Sequence, residues 1–168
     1  GLTWATGPVS FDATVFLRRG TDLIDFVRSS PEEPWRATNI RTVDTRGVEG
    51  TVALDPSGIA RTLLTRLALS AAFYSADLEK LRAEAGAAEG RYVLDPLRVR
   101  TDLLAEARLP FRLEALARLS YFDRPSFDEG VLLLDARLGY GVLEGDVLEV
   151  YVEGDNLGAV RYEEVPGV

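Results

Sequence analysis

Apolar and polar positions alternate at the start of the chain. In VSFDATVFL, residues 9–17, the apolar Val9, Phe11, Ala13, Val15 and Leu17 are interleaved with Ser10, Asp12 and Thr14. A period of two puts the apolar set on one side of a strand. RRGT at 18–21 reads as a turn, and DLIDFV at 22–27 fits a helical turn or a second strand. SSPEEP at 29–34 is a loop, because each proline biases its predecessor away from helix. Two more strands are predicted near 35–43 and 48–54, separated by DTRG.

The period then changes. At 100° per residue, Leu63, Leu64, Leu67, Ala71, Tyr74, Leu78, Leu81 and Ala85 share one arc. That predicts a long amphipathic helix near 57–86, started by Asp55 or Ser57 and closed at Gly86. Such a helix would run about 43 Å, which calls for a kink or break near Ser75.

Residues 97–121 carry two conflicting signals. Their Leu, Ala, Arg and Glu favour helix, but every odd position except Thr101 is apolar, and Arg98, Arg100, Asp102, Glu106, Arg108, Arg112, Glu114, Arg118 and Ser120 lie at even positions. Burial of one face outweighs a propensity of ~0.5 kcal/mol per residue, so the pattern predicts strand. Fully extended, the segment would span roughly 80 Å, so it must bend, either at a bulge near Leu104–Ala105 or at Pro110. A meander follows, with strands predicted near 131–140, 147–153 and 158–165 and turns at LEGD and EGDN. The predicted architecture is α+β: a curved antiparallel β-sheet of about 6–8 strands packed against one long, broken helix near 57–86, in a single domain over 1–168.

Composition removes whole classes of chemistry. Among 168 residues there is no His, Cys or Met, and Lys80 is the one lysine. That excludes serine and cysteine triads, disulfides, zinc fingers and Fe–S sites, and no metal site, cofactor or catalytic residue is expected. Poverty in Cys, Met and Gln fits a heat-adapted protein or a GC-rich coding bias. A net charge of −8 opposes phosphate backbones and anionic membranes, so no nucleic-acid partner is expected. No apolar run reaches the ~18 residues of a spanning helix, so no transmembrane segment is expected. Without any methionine, the chain reads as a soluble product trimmed at its N-terminus, with any targeting segment removed and its compartment open.

Carboxylate pairs at Glu32/Glu33, Asp128/Glu129, Glu144/Asp146, Glu153/Asp155 and Glu163/Glu164 would suit glycosidase-type chemistry, but all read as turn or loop residues. The EGD turns lack the spacing of a helix–loop–helix calcium site. Interleaved acids make the arginine row of 98–118 a face of cross-strand ion pairs, with an anion or partner surface as the alternative. Trp4 and Trp35 read as core or edge cover.

The small residues of 97–121 suggest function. If the sheet lies under the helix, Ala105, Ala107, Ala115 and Ala117 leave room for an apolar pocket, walled by Leu63, Leu67, Ala71, Tyr74, Leu78, Phe111 and Leu113. The expectation is a non-enzymatic domain that binds a lipid or other hydrophobic small molecule. Two alternatives are an assembly module, adding a protein partner or a second copy onto a strand edge such as 158–165, and a carboxylate-dependent hydrolase.

Overall fold

A computed structural model describes residues 1–56, 63–142 and 148–163. Its strands are β1 (Leu2–Thr6), β2 (Val9–Arg28), β3 (Arg36–Leu54), β4 (Leu64–Ala76), β5 (Glu89–Gly90), β6 (Val99–Leu109), β7 (Leu113–Asp123), β8 (Val131–Gly141) and β9 (Glu149–Gly154). They form one sheet in the order β1-β2-β3-β4-β6-β7-β8-β9, each pair antiparallel, with β5 paired to the far end of β2. Every strand therefore lies beside the next long one in sequence, the up-and-down arrangement that short connections favour.

The long helix is corrected. Strand accounts for 64% of the described residues and helix for 6%, so the fold is a β-sheet and not α+β. Residues 64–76, expected to be helical, form β4, hydrogen-bonded to β3 on one side and β6 on the other; residues 57–62 of the expected helix lie outside the described set. The helical arc is present in the sequence, but Leu67, Leu69, Ala71 and Phe73 also alternate, and two paired edges satisfy the backbone while the face that carries them stays open. Among the described residues only α1 (Leu78–Ala85) is an α-helix. The Asp77 carboxylate accepts the Lys80 amide at 3.1 Å, and Gly86, with φ 60, closes the helix as its sequence suggests.

Residues 97–121 are extended. They form the β6–β7 hairpin, whose register runs without a slip from Val99 opposite Asp123 to Leu109 opposite Leu113. Of the two bends considered, the turn at Pro110 is used and no bulge occurs at Leu104–Ala105; Phe111 and Arg112 complete the turn with φ of 65 and 60. The strands expected at 9–17 and 22–27 merge into β2, and those at 35–43 and 48–54 into β3. Residues 158–163 form no strand, so the edge proposed there is replaced by the outer edges of β1 and β9.

The connections are uneven. At one end of the sheet β1 and β2 are joined by Gly7 and Pro8, and β6 and β7 by a three-residue turn. At the other end β2 and β3 project beyond β4, and the 77–98 and 124–130 segments fold beside them. Here lies the buried core, built from Val27, Ile40, Val43, Leu81, Ala85, Ala87 and Leu94. Asp25, fully buried, holds this cap together: its carboxylate accepts the amides of Phe26, Tyr92, Val93 and Leu94 at 2.8–3.2 Å. Asp95 accepts the amide and hydroxyl of Ser126, both at 2.9 Å. The boundary between cap and sheet falls where the β2–β3 ladder omits Asp22 and Arg41. Asp22 takes φ 54 there, and the Arg41 amide turns to the Glu84 carboxylate at 2.8 Å.

Candidate functional site

Cross-strand partners share a face, so the register sorts the sheet into two surfaces. One row on the first face comprises Thr6, Val9, Leu54, Leu67, Ala105, Ala117, Ala136 and Gly154, spanning eight strands. The next rows are Trp4, Phe11, Val52, Leu69, Leu103, Leu119 and Leu134, then Leu2, Ala13, Gly50, Ala71, Thr101, Tyr121 and Leu132. Val15, Val48, Phe73 and Val99 continue it toward the cap, and Leu109, Leu113, Tyr140 and Val150 toward the short turns. Apart from Asp123 at the last position of β7, these rows contain no Asp, Glu, Lys or Arg.

The opposite face is polar. A transverse row of Thr3, Asp12, Thr51, Ser70, Asp102 and Ser120 crosses six strands. Hydrogen bonds tie it together: Thr3 donates to Asp12 at 2.8 Å, Thr51 and Ser70 share one at 2.9 Å, and Ser120 donates to Asp102 at 2.7 Å. Arg100 also binds Asp102, at 2.7 Å. Nearer the short turns, Arg108 pairs with Glu114 at 3.1 Å, and Arg137 with Glu149 at 3.0 Å while lying 3.9 Å over the Tyr151 ring. The arginine row is thus in part the ion-paired face its interleaved acids suggested.

Exposure reverses the usual order. The apolar face is open, with Val15 at 76%, Leu17 at 84%, Val152 at 66% and Trp4 at 52%. The polar face is more sheltered, with Ala53 at 5%, Ala68 at 6% and Ser120 at 8%, though Thr3, Asp12 and Glu49 on it are exposed. Water-soluble sheets that are wet on one side do the opposite, and an uncovered apolar surface of this extent marks an interaction site.

Of the expected pocket residues, Leu67, Ala71, Ala105, Ala107, Leu113, Ala115 and Ala117 do share one face, the open apolar one. Ala105, Ala107, Ala115 and Ala117 line a shallow hollow of about 700 Å³, bordered by Leu138, Val152 and Leu157. Tyr74 is on the polar face, its ring 5.8 Å from Phe16. Leu78 starts α1 and packs against the cap core, while Leu63 and Phe111 are exposed beside the short-turn end. Sequence reasoning missed Val15, Val48, Leu69, Phe73 and Leu103 as parts of one surface. Their alternation was legible, but not that, apart from Leu157 at one margin, the described residues leave this surface open.

At the border between cap and apolar rows, Leu17, Arg46 and Ser75 form the last shared row. Beyond it Arg19 clasps Asp44 through bonds of 2.6 and 3.1 Å. Hydrogen bonding to Arg19, more than its charge, holds the Asp44 carboxyl below the usual aspartate range. The guanidinium groups of Arg28 and Arg91 both lie over the Trp35 ring, at 4.4 and 4.6 Å from its centroid, and tie it to the cap. Among the described residues no group of three or more acidic side chains could hold a metal ion; Glu144, Asp146 and Glu164 lie outside that set. No helix among them is long and apolar enough to cross a membrane. No family model, no curated protein and no solved structure matches the chain.

Proposed function

We propose that this sheet is the wall of a membrane-spanning β-barrel, with lipid chains against its apolar face and the barrel interior on its polar side. One observation carries the reading: across eight strands the exposed face is apolar and, but for Asp123 and Arg46 at its cap-side border, uncharged, while the more sheltered face holds a hydrogen-bonded polar row. Alternation of apolar-out and polar-in is what a bilayer demands of spanning strands.

The dimensions of the central strands support it, though β1 and β9 have only 5 and 6 residues. β6, β7 and β8 each have 11 residues. At ~3.3 Å per residue and the ~40° tilt of barrel strands, that spans about 28 Å, near the apolar height such barrels present. Criteria of helix length do not register crossings of this kind. The two shortest connections, Gly7–Pro8 and 110–112, lie at one end and the longest, 77–98, at the other, an inequality that barrels also show, although 55–63 and 142–148 share the end of the short turns. Phe73 and Tyr121 near the cap, with Tyr140 and Phe111 near the short turns, place aromatics toward both ends of the band.

Hydrocarbon tolerates no open ladder, so the reading requires the outer edges of β1 and β9 to be paired in the bilayer. Eight alternating strands leave these two edges antiparallel to each other, as closure requires. The partner is then the bilayer itself, a hydrophobic environment in place of a single hydrophobic molecule. The hollow at Ala105–Ala117 favours a second reading, in which one apolar ligand or acyl chain seats there.

The chain has no cysteine, so single cysteines introduced along β8 can each carry a spin label. In vesicle-reconstituted protein, labels at Leu132, Leu134 and Leu138 are expected to collide with lipid-dissolved oxygen, and those at Leu133, Asp135 and Arg137 with an aqueous nickel reagent. Equal aqueous access at all six positions would reject the barrel. A single saturable apolar ligand recovered from protein that never enters vesicles would favour the second reading.

A further inference from the structure

A groove of about 560 Å³ lies where β4 ends, between the projecting part of the β2–β3 hairpin and the start of α1. Its lining brings together Arg18, Arg19, Arg46 and Lys80, with Asp44 and Asp77 the only acids. In a chain of net charge −8 this is a local excess of positive charge. Both acids already have partners: Asp44 is clasped by Arg19 at 2.6 Å, and Asp77 caps α1 through the Lys80 amide at 3.1 Å. Arg46 shares its row with Leu17 and Ser75, directly above the row of Val15, Val48 and Phe73. The groove therefore meets the apolar rows at the cap-side border.

We propose that this groove holds the phosphate of an anionic membrane lipid, whose acyl chains run down the apolar rows below Leu17. The inference rests on the barrel reading, which supplies the bilayer. Two features argue for a headgroup over a free anion. The cations stand at the edge of the apolar band, at the level where phosphates of a spanned bilayer lie, and Leu17, 84% exposed, forms part of the same groove. Basic residues at that level attract anionic lipid, and the attraction is screened by salt.

The test uses the full chain reconstituted in phosphatidylcholine vesicles containing either spin-labelled phosphatidylglycerol or spin-labelled phosphatidylcholine, read as the motionally restricted lipid fraction. Expected is an enrichment of phosphatidylglycerol over phosphatidylcholine of about fivefold at low salt. In the double variant Arg46→Ala/Lys80→Ala it should fall toward parity, and in Arg108→Ala, altered at the opposite end of the sheet, it should persist. Equal restricted fractions for the two lipids overturn the headgroup site and leave the barrel standing. Absence of any restricted lipid overturns both. Enrichment abolished by inorganic phosphate at constant ionic strength makes the groove a site for free anions and overturns the lipid assignment.

Discussion

Two adjacent leucines on β8 separate a membrane wall from a water-soluble sheet by the sign of one effect. Leu134 lies on the apolar face in the row of Leu69, Leu103 and Leu119, near mid-strand, and is 41% exposed. Leu133 lies on the polar face opposite Ser120 and is half-buried. If lipid covers the first face, Leu134→Arg places a cation near the bilayer midplane at a cost of about 2–4 kcal/mol. Each 1.4 kcal/mol is tenfold, so the folding equilibrium should drop by about 30- to 1,000-fold. Leu133→Arg turns its charge toward the polar interior and should cost about 1 kcal/mol or less. In water the order reverses: an arginine at exposed Leu134 would be worth within about 0.5 kcal/mol of neutral, while one at half-buried Leu133 would disturb packing. Urea titration of folding into short-chain phosphatidylcholine vesicles, followed by the fluorescence of Trp4 and Trp35, measures both. A Leu134→Arg variant as stable as the parent, or less damaged than Leu133→Arg, refutes the membrane assignment.

Other substitutions probe the cap and the polar row. Asp25→Ala removes the acceptor of four amides and should cost about 3 kcal/mol or more, visible as faster amide exchange at Tyr92, Val93 and Leu94 with β6–β8 unaffected. Gly90→Ala would set a methyl 2.7 Å from Asp25 Oδ2 and 2.8 Å from Leu94 Cβ; a loss of about 1–3 kcal/mol in the urea midpoint of the cap is expected. Asp102→Ala takes away the partner of both Arg100 and Ser120, and should lower stability by about 1–3 kcal/mol in vesicles. The Asp44 carboxyl titrates below the usual aspartate range because of Arg19. The clasp is therefore complete above the ordinary aspartate value and opens as pH falls through the lowered one. Arg19→Ala should bring that titration back up to the ordinary value, read from the Asp44 carboxyl carbon by NMR.

Much of the strand pattern was legible. VSFDATVFL is a strand because Ser10, Asp12 and Thr14 contrast sharply with their neighbours, and the odd positions of 97–121 do share one face. The failure at 64–76 has a local cause. Between Leu67, Leu69, Ala71 and Phe73 stand Ala68, Ser70, Ala72 and Tyr74, too weakly polar to mark a period of two, so a helical arc fitted as well. The alanines of β6 and β7 face one another across the ladder, Ala105 with Ala117 and Ala107 with Ala115, as the odd-position pattern implies. That surface was assigned to an interior, because periodicity tells which side chains point together and says nothing of the solvent they meet. Here the cover expected from a long helix is missing, since α1 packs on the cap.

The knot of Asp25 and its four amides also gives the molecule a direction. On the barrel reading, a chain entering a bilayer from one side carries one end's connections through the oil, and at the end away from the cap these are Gly7–Pro8, 55–63, 110–112 and 142–148. The opposite end, with two inaccessible carboxylates and its own packed centre, is too costly to drag across. If the barrel reading holds, the hairpin tips lead and the cap stays behind, on the side from which the polypeptide arrived.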